Sequence, residues 1–222
     1  MSDEDERQVL TAEELEEVAL FPLPSAVFFP DTELPLHLFE QRYRSMAEDR
    51  IVNGDGVIAI ALLRPGYEAD YDGRPAVHSV AGIGRVIAHR KNDNGTHDIL
   101  LRGMGRVRLE ELPADERPYR LARATPLRTT NTELSRSVLA PLLSCTSRIA
   151  AVVRERHPDF EVGFAANDDI ATIVDRIADR FVSEPPRRQR ILEAMDLEER
   201  LELVTDAVGD LLALIGARQE PS

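Results

Sequence analysis

Apolar residues change their spacing near residue 128. Before it they come in short runs or alternate with polar ones, and after it they recur every three to four positions. Residues 18–24 (VALFPLP), 26–30 (AVFFP) and 32–39 (TELPLHLF) are apolar runs broken by prolines. Proline lacks the amide hydrogen a central strand needs, so these predict edge strands and extended turns. Phe39, Tyr43, Met46, Ala47 and Ile51 recur at helical spacing, which predicts an amphipathic helix over about 38–52 stopped by Asn53 and Gly54. Residues 56–63 (GVIAIALL) predict a buried strand, and 64–75 a long polar loop. Residues 76–90 predict another strand, with Gly82 and Gly84 marking a bulge or bend. Asn92-Asp93-Asn94-Gly95 predicts a hairpin turn. Strands at 98–102 and 106–112 follow, separated by a bend at Gly103-Met104-Gly105, and 119–127 is the last extended run.

The second region reads as helices. Thr130 and Glu133 fit a capping box ahead of a periodic set beginning Leu134, Val138 and Leu142, with Pro141 a candidate kink. Asn167 or Asp168 caps a second helix carrying Ile170, Ile173, Val174, Ile177 and Phe181. A short third helix spans about 186–195. A fourth opens at the Asp196–Glu199 capping box and stops near Gly216. The fold class is therefore α+β, a twisted sheet or partial barrel followed by a helical bundle. The expected division is a flexible acidic leader at 1–17, a β-rich part at 18–128 and a helical part at 129–222.

Charge and composition narrow the function classes. The 222 residues carry a net charge of −13, and the first 19 contain eight acidic residues against one arginine, a net −7. Nucleic-acid affinity draws largely on basic groups meeting phosphates, so this balance argues against it. No apolar run of membrane-spanning length is present and the N-terminus is acidic, which predicts a cytoplasmic protein. Cys145 is the single cysteine, in an apolar helical stretch where it reads as a small core residue.

Catalytic chemistry finds few candidates. Lys91 is the one lysine, and no Gly-x-x-x-x-Gly-Lys-Ser/Thr motif exists, so a P-loop is excluded. Gly82-Ile83-Gly84 and Gly103-Met104-Gly105 lie between strands and open no helix, as a dinucleotide site requires. His89 and His97 flank one turn but lack a third metal ligand. The acidic pairs Asp168-Asp169 and Glu198-Glu199 stand where helix starts favour carboxylates. The expectation is a non-enzyme with no cofactor and no metal.

Binding is the better expectation. Phe28, Phe29 and the 34–39 segment hold more apolar surface than a solvent loop requires, and edge strands accept extended peptides by strand addition. Tyr67 and Tyr71 sit in a loop long enough to be functional. The residues expected to bind peptide are Phe28, Phe29, Leu36, Tyr67 and Tyr71.

Residues 21–24 (FPLP), 27–30 (VFFP), 34–40 (LPLHLFE) and 42–44 (RYR) resemble the opening of the Lon protease N-terminal domain. Residues 82–87 (GIGRVI), Asn94-Gly95, 98–103 (DILLRG) and 106–108 (RVR) continue it in order, and Pro118-Tyr119, 189–193 and 199–201 resemble its helical continuation. The resemblance implies a PUA-like β part, a helical bundle and a substrate-recognition role. The partners implied are unfolded or extended polypeptides and a separate protease, with no membrane; no feature fixes an oligomeric state. The chain ends at Ser222, where the linker to an ATPase would begin, so the family's enzymatic residues do not carry over. The alternative from the same architecture is a small-molecule or RNA-binding regulator, with Arg85, Arg106 and Arg108 as the positions to test.

Overall fold

The computed structural model describes residues 9–71, 73–165 and 167–219. The chain divides into two units between Leu127 and Arg128. In the first unit β1 (Val18–Leu23), β2 (Glu33–Leu38), β3 (Val57–Leu62), β4 (Val80–Lys91), β5 (His97–Glu111) and β6 (Arg120–Leu127) form one sheet. The order is β2-β5-β4-β3-β1-β6, and β5 also pairs with β6. Five strands therefore close into a barrel, and β2 is added at its edge.

The length of β5 makes both arrangements possible. Its first part pairs with β2 through 97–102, its second with β6 through 106–111, and β4 runs along the other side. The two strands expected on either side of Gly103–Gly105 are one continuous strand, and the bend expected there takes the form of a bulge, with Gly103 paired to Gly84, Gly105 to Ile83 and Met104 left over. Gly82 and Gly103 make room for a crossing chain. A Cβ at Gly82 would lie 2.0 Å from the Phe28 carbonyl oxygen, and one at Gly103 would lie 2.1 Å from that of Phe29. Residues 27–30 thus cross closely over the sheet. The irregularity expected near Gly84 does occur, as a register shift between Ile83 and Gly84.

β1 corrects the edge-strand expectation. It pairs in parallel with β3 at residues 19–23 and antiparallel with β6 at 18–20. Pro22 lies past the last β6 pair, where no partner needs the hydrogen it lacks. β2 fits the expectation, pairing with β5 alone. A proline in a ladder is tolerated where its nitrogen faces away from the partner, so Pro35 points its nitrogen to the open side.

Two apolar layers explain why β1 and β3 read as unbroken runs. Val18, Leu20, Val57, Ala59, Ala61, Ala81, Ile83, Val107, Leu109, Ala122 and Ala124 come from all five barrel strands at alternate positions and fill the interior. The second layer joins Ala19, Phe21, Ile58 and Ile60 to Tyr43, Met46 and Ala47 of a covering helix, α2 (Gln41–Ala47). A π-helical turn continues α2 over Glu48–Val52.

Part of the acidic leader is ordered. α1 (Ala12–Glu16) is opened by a capping box between Thr11 and Glu14, and Leu10 and Leu15 pack on the barrel interior cluster. The leader's residues 1–8 lie outside the described residues.

The second unit holds α3 (Ala140–Arg154), α4 (Ile170–Phe181), α5 (Pro185–Glu193) and α6 (Leu197–Gln219). α3 starts later than the Thr130 capping box predicts. Pro141 stands in its first turn, where proline needs no amide hydrogen, and does not kink it. Thr130 is used elsewhere, exchanging backbone hydrogen bonds with Met195 and Leu197. Asp169, one residue past the expected cap, accepts from the Thr172 amide. Asp196 caps α6 by accepting from the amides of Glu198 and Glu199, and the helix runs past Gly216. Residues Arg136–Arg154 are long and apolar enough to meet a membrane-span criterion that core helices also pass, and Leu139, Leu142, Thr146, Ile149 and Ala150 are buried.

Candidate functional site

Where β2 hands over to α2, the chain leaves an aromatic ring in solvent. Leu34 and Leu36 pack on the second core layer and Leu38 is buried within it, so the alternate residues face outward. Phe39, read from the helical period as a core position, lies before the helix and is 64% exposed. Its ring stacks at 6.1 Å on that of His37. His37 in turn is 2.6 Å from the Asp98 carboxylate, which Arg90 and Asn92 also contact. These three hydrogen bonds, His37 first, hold the Asp98 carboxyl far below the usual range.

The long loop reaches the same region. Gly66 takes a left-handed φ of 89° ahead of a 3-10 turn at Tyr67–Asp70. That brings the Tyr67 and Tyr71 rings to 6.2 Å from each other. The Tyr71 hydroxyl lies 3.4 Å from Glu40, the neighbour of Phe39, and donates to it. Arg42, held by Glu40 at 2.8 Å, places its guanidinium 4.7 Å from the Tyr43 ring centre and 5.5 Å from that of Tyr71. Burial, then the Glu40 charge, pushes the Tyr71 hydroxyl upward, and burial pushes Tyr43 up to about 12.

Of the five residues expected to bind peptide, Tyr67 and Tyr71 are brought together. Phe28 and Phe29 are 2% and 0% exposed, and Leu36 is half-buried against the second layer. The apolar surface of Phe28 and Phe29 is committed to packing, which puts them out of reach of a docked chain, whereas Leu36 keeps part of its side chain exposed. Phe39 and Arg42 are the residues that reading missed. The signal for Phe39 was the Leu34-Leu36-Leu38 alternation, which sends 37 and 39 outward.

This surface suits apolar and aromatic side chains, with a cation fixed against ring faces and tyrosine hydroxyls at its margin. Elsewhere, His89 and His97 stack with a 2.8 Å nitrogen–nitrogen contact, and Glu48 reaches both His97, at 3.4 Å, and Lys91. Among the described residues no group of three His, Cys, Asp or Glu is placed to hold a metal. Arg85 binds the Asp55 carbonyl and Glu14, and Arg106 is 4% exposed.

Comparison with known proteins agrees with this architecture. Residues 17–209 match the family described as the ATP-dependent protease La (LON) substrate-binding domain. Lon protease 2 of Myxococcus xanthus is 27% identical over 193 residues, which are 84% of this chain and 23% of the relative. Lon protease of Xanthomonas oryzae pv. oryzae is 26% identical over 199 residues, 88% of this chain and 23% of the relative. The chain thus spans under a quarter of these relatives. Among solved structures, the N-terminal domain of Mycobacterium avium complex Lon protease superposes with a TM-score of 0.64 at 14% identity, covering 88% of this chain and 99% of that one. A Lon N-terminal domain protein from Xanthomonas campestris gives 0.59 at 21% identity, covering 84% and 95%. With its five-stranded barrel, added edge strand and C-terminal helices, the chain belongs to the LON substrate-binding domain family.

Proposed function

We propose that this chain recognises other polypeptides through the surface formed by Phe39, Arg42, Tyr67 and Tyr71, and passes them as an adaptor to a separate protease in the cytoplasm. The observation that carries this is Phe39, a large aromatic side chain 64% exposed and next in the chain to Glu40, which holds both Tyr71 and Arg42. Aromatic and arginine side chains dominate the energetics of protein interfaces, and the family is described by substrate binding. Affinity comes from side chains more than from strand addition, because Pro35 removes a donor from the open edge of β2. The role requires no bond-making chemistry, and none is proposed.

The test is binding of unstructured peptides to the purified protein at two salt concentrations. Aromatic-rich peptides are expected to bind with little salt dependence. Phe39→Ala and Tyr71→Ala are each expected to weaken binding about tenfold, ~1.4 kcal/mol. Unchanged affinity in both variants would sink this assignment of the surface.

A further inference from the structure

The leader helix α1 sits on a rim of arginines. Glu14 pairs with Arg85 at 2.8 Å, Glu16 with Arg123 at 2.9 Å, and Glu17 with Arg117 at 2.5 Å. Arg50 donates to the Glu17 carbonyl at 2.6 Å. Between the ion pairs, Leu10 and Leu15 rest on the cluster that fills the barrel. The rim is drawn from β4, β6, the π turn and the loop before β6. It is therefore a surface assembled by the fold, with acidic and leucine side chains seated on it.

Three observations mark this occupant as exchangeable. α1 has five residues, none of them buried, and so short a helix has little stability of its own. The residues matched to the family begin at 17, so α1 lies outside the matched span. The rim is also incompletely satisfied: Arg50 Nε and Arg85 Nε are buried with no hydrogen-bond partner. A buried donor without an acceptor is costly, so the seated leader leaves part of the rim's hydrogen-bonding capacity unused.

We propose that this arginine-rimmed surface at the barrel is a second docking site, that it takes an acidic, leucine-bearing segment of a partner polypeptide, and that the chain's own leader occupies it until displaced. It is separate from the aromatic surface, and its test does not depend on that one. The leader competes from within the same chain, with β1 starting two residues after α1, so its effective concentration is high. Weakening the leader while leaving the rim intact should open the site.

The experiment uses full-length protein and a fluorescent peptide of residues 9–17, followed by anisotropy. Wild type is expected to bind the peptide weakly. The double variant Glu14→Ala, Leu15→Ser is expected to bind it at least about tenfold more tightly. Adding Arg85→Glu and Arg123→Glu to that variant is expected to abolish the gain. A peptide of the same composition in scrambled order serves as the control, and equal binding of it would reduce the effect to charge attraction and overturn the proposal. No binding by the double variant, with circular dichroism and melting like wild type, would also overturn it. Unfolding of the double variant would make the leader an integral part of the barrel and overturn it as well. Glu16→Ala with Glu17→Ala, which leaves Leu15 in place, is measured in parallel under the same criteria.

Discussion

A methyl group added at Gly82 would meet the Phe28 carbonyl oxygen at 2.0 Å, while one added at Gly105 would meet nothing within 4 Å. Backbone cannot move aside as a flexible side chain can. Gly82→Ala is therefore expected to destabilise the protein by about 3 kcal/mol and Gly105→Ala by under about 0.5 kcal/mol, read from urea unfolding. The same crossing explains what the sequence could not disclose about Phe28 and Phe29. Their hydrophobicity was legible, but their destination depended on glycines more than fifty positions away. Arg200 offers a second case. It is 0% exposed, donates to the Ala194 carbonyl at 2.9 Å, and lies 3.4 Å from Asp175. Asp175→Ala leaves that cation buried without its counter-charge and is expected to cost about 3–5 kcal/mol in the same measurement. Replacing both with apolar residues of similar volume should recover much of the loss.

At the scale of elements, local signals did well where one segment decides its own state. The β4–β5 hairpin, the capped start of α6 and the strand β3 were all readable from turn and cap residues. Readings failed where a neighbour decides. β1 is central although it contains Pro22, because β6 stops pairing before that residue. β5 continues through two glycines because β4 supports it on one side along its length. The π turn at Glu48–Val52 belongs to the same class, since no local residue type announces it. The leader was read from charge alone, which shows acidity but not the arginines that meet it. Its docking should respond to pH through Glu14 and Glu17. Burial raises the Glu14 carboxyl, but Arg85 and Thr11 outweigh it, while Arg117 first and then Arg50 lower Glu17 against the opposing effects of burial and Asp115. Both are depressed below 4.5, so the docking they add is complete above that pH and fades as pH falls through their lowered values. Hydrogen exchange of α1 is expected to accelerate on acidification, and also in high salt at neutral pH. A rate independent of both would show that leucine packing alone holds the helix.

Each unit buries apolar residues of its own, so the two can be observed separately. All four tyrosines, Tyr43, Tyr67, Tyr71 and Tyr119, fall in the first unit, and there is no tryptophan. Tyrosine fluorescence thus reports the barrel, while far-ultraviolet dichroism is dominated by the longer helices of the second unit. Gly82→Ala is expected to lower the midpoint seen by tyrosine more than the midpoint seen at 222 nm (an ordinary helix-sensitive wavelength, roughly the amide band). Coincident shifts would mean that the chain unfolds as one cooperative body. Fold class was legible at this scale because hydrophobic spacing switches period once, near the division itself. Barrel closure was not, since nothing in a strand's own sequence names both its neighbours. The proline on the outer side of β2 has a consequence for the protein in bulk. An exposed strand with free donors is a template on which other chains can polymerise, and proteins blunt such edges with proline and charge. Glu33 and Pro35 are both exposed there, so the open side of β2 is expected to disfavour edge-to-edge pairing between copies of this chain.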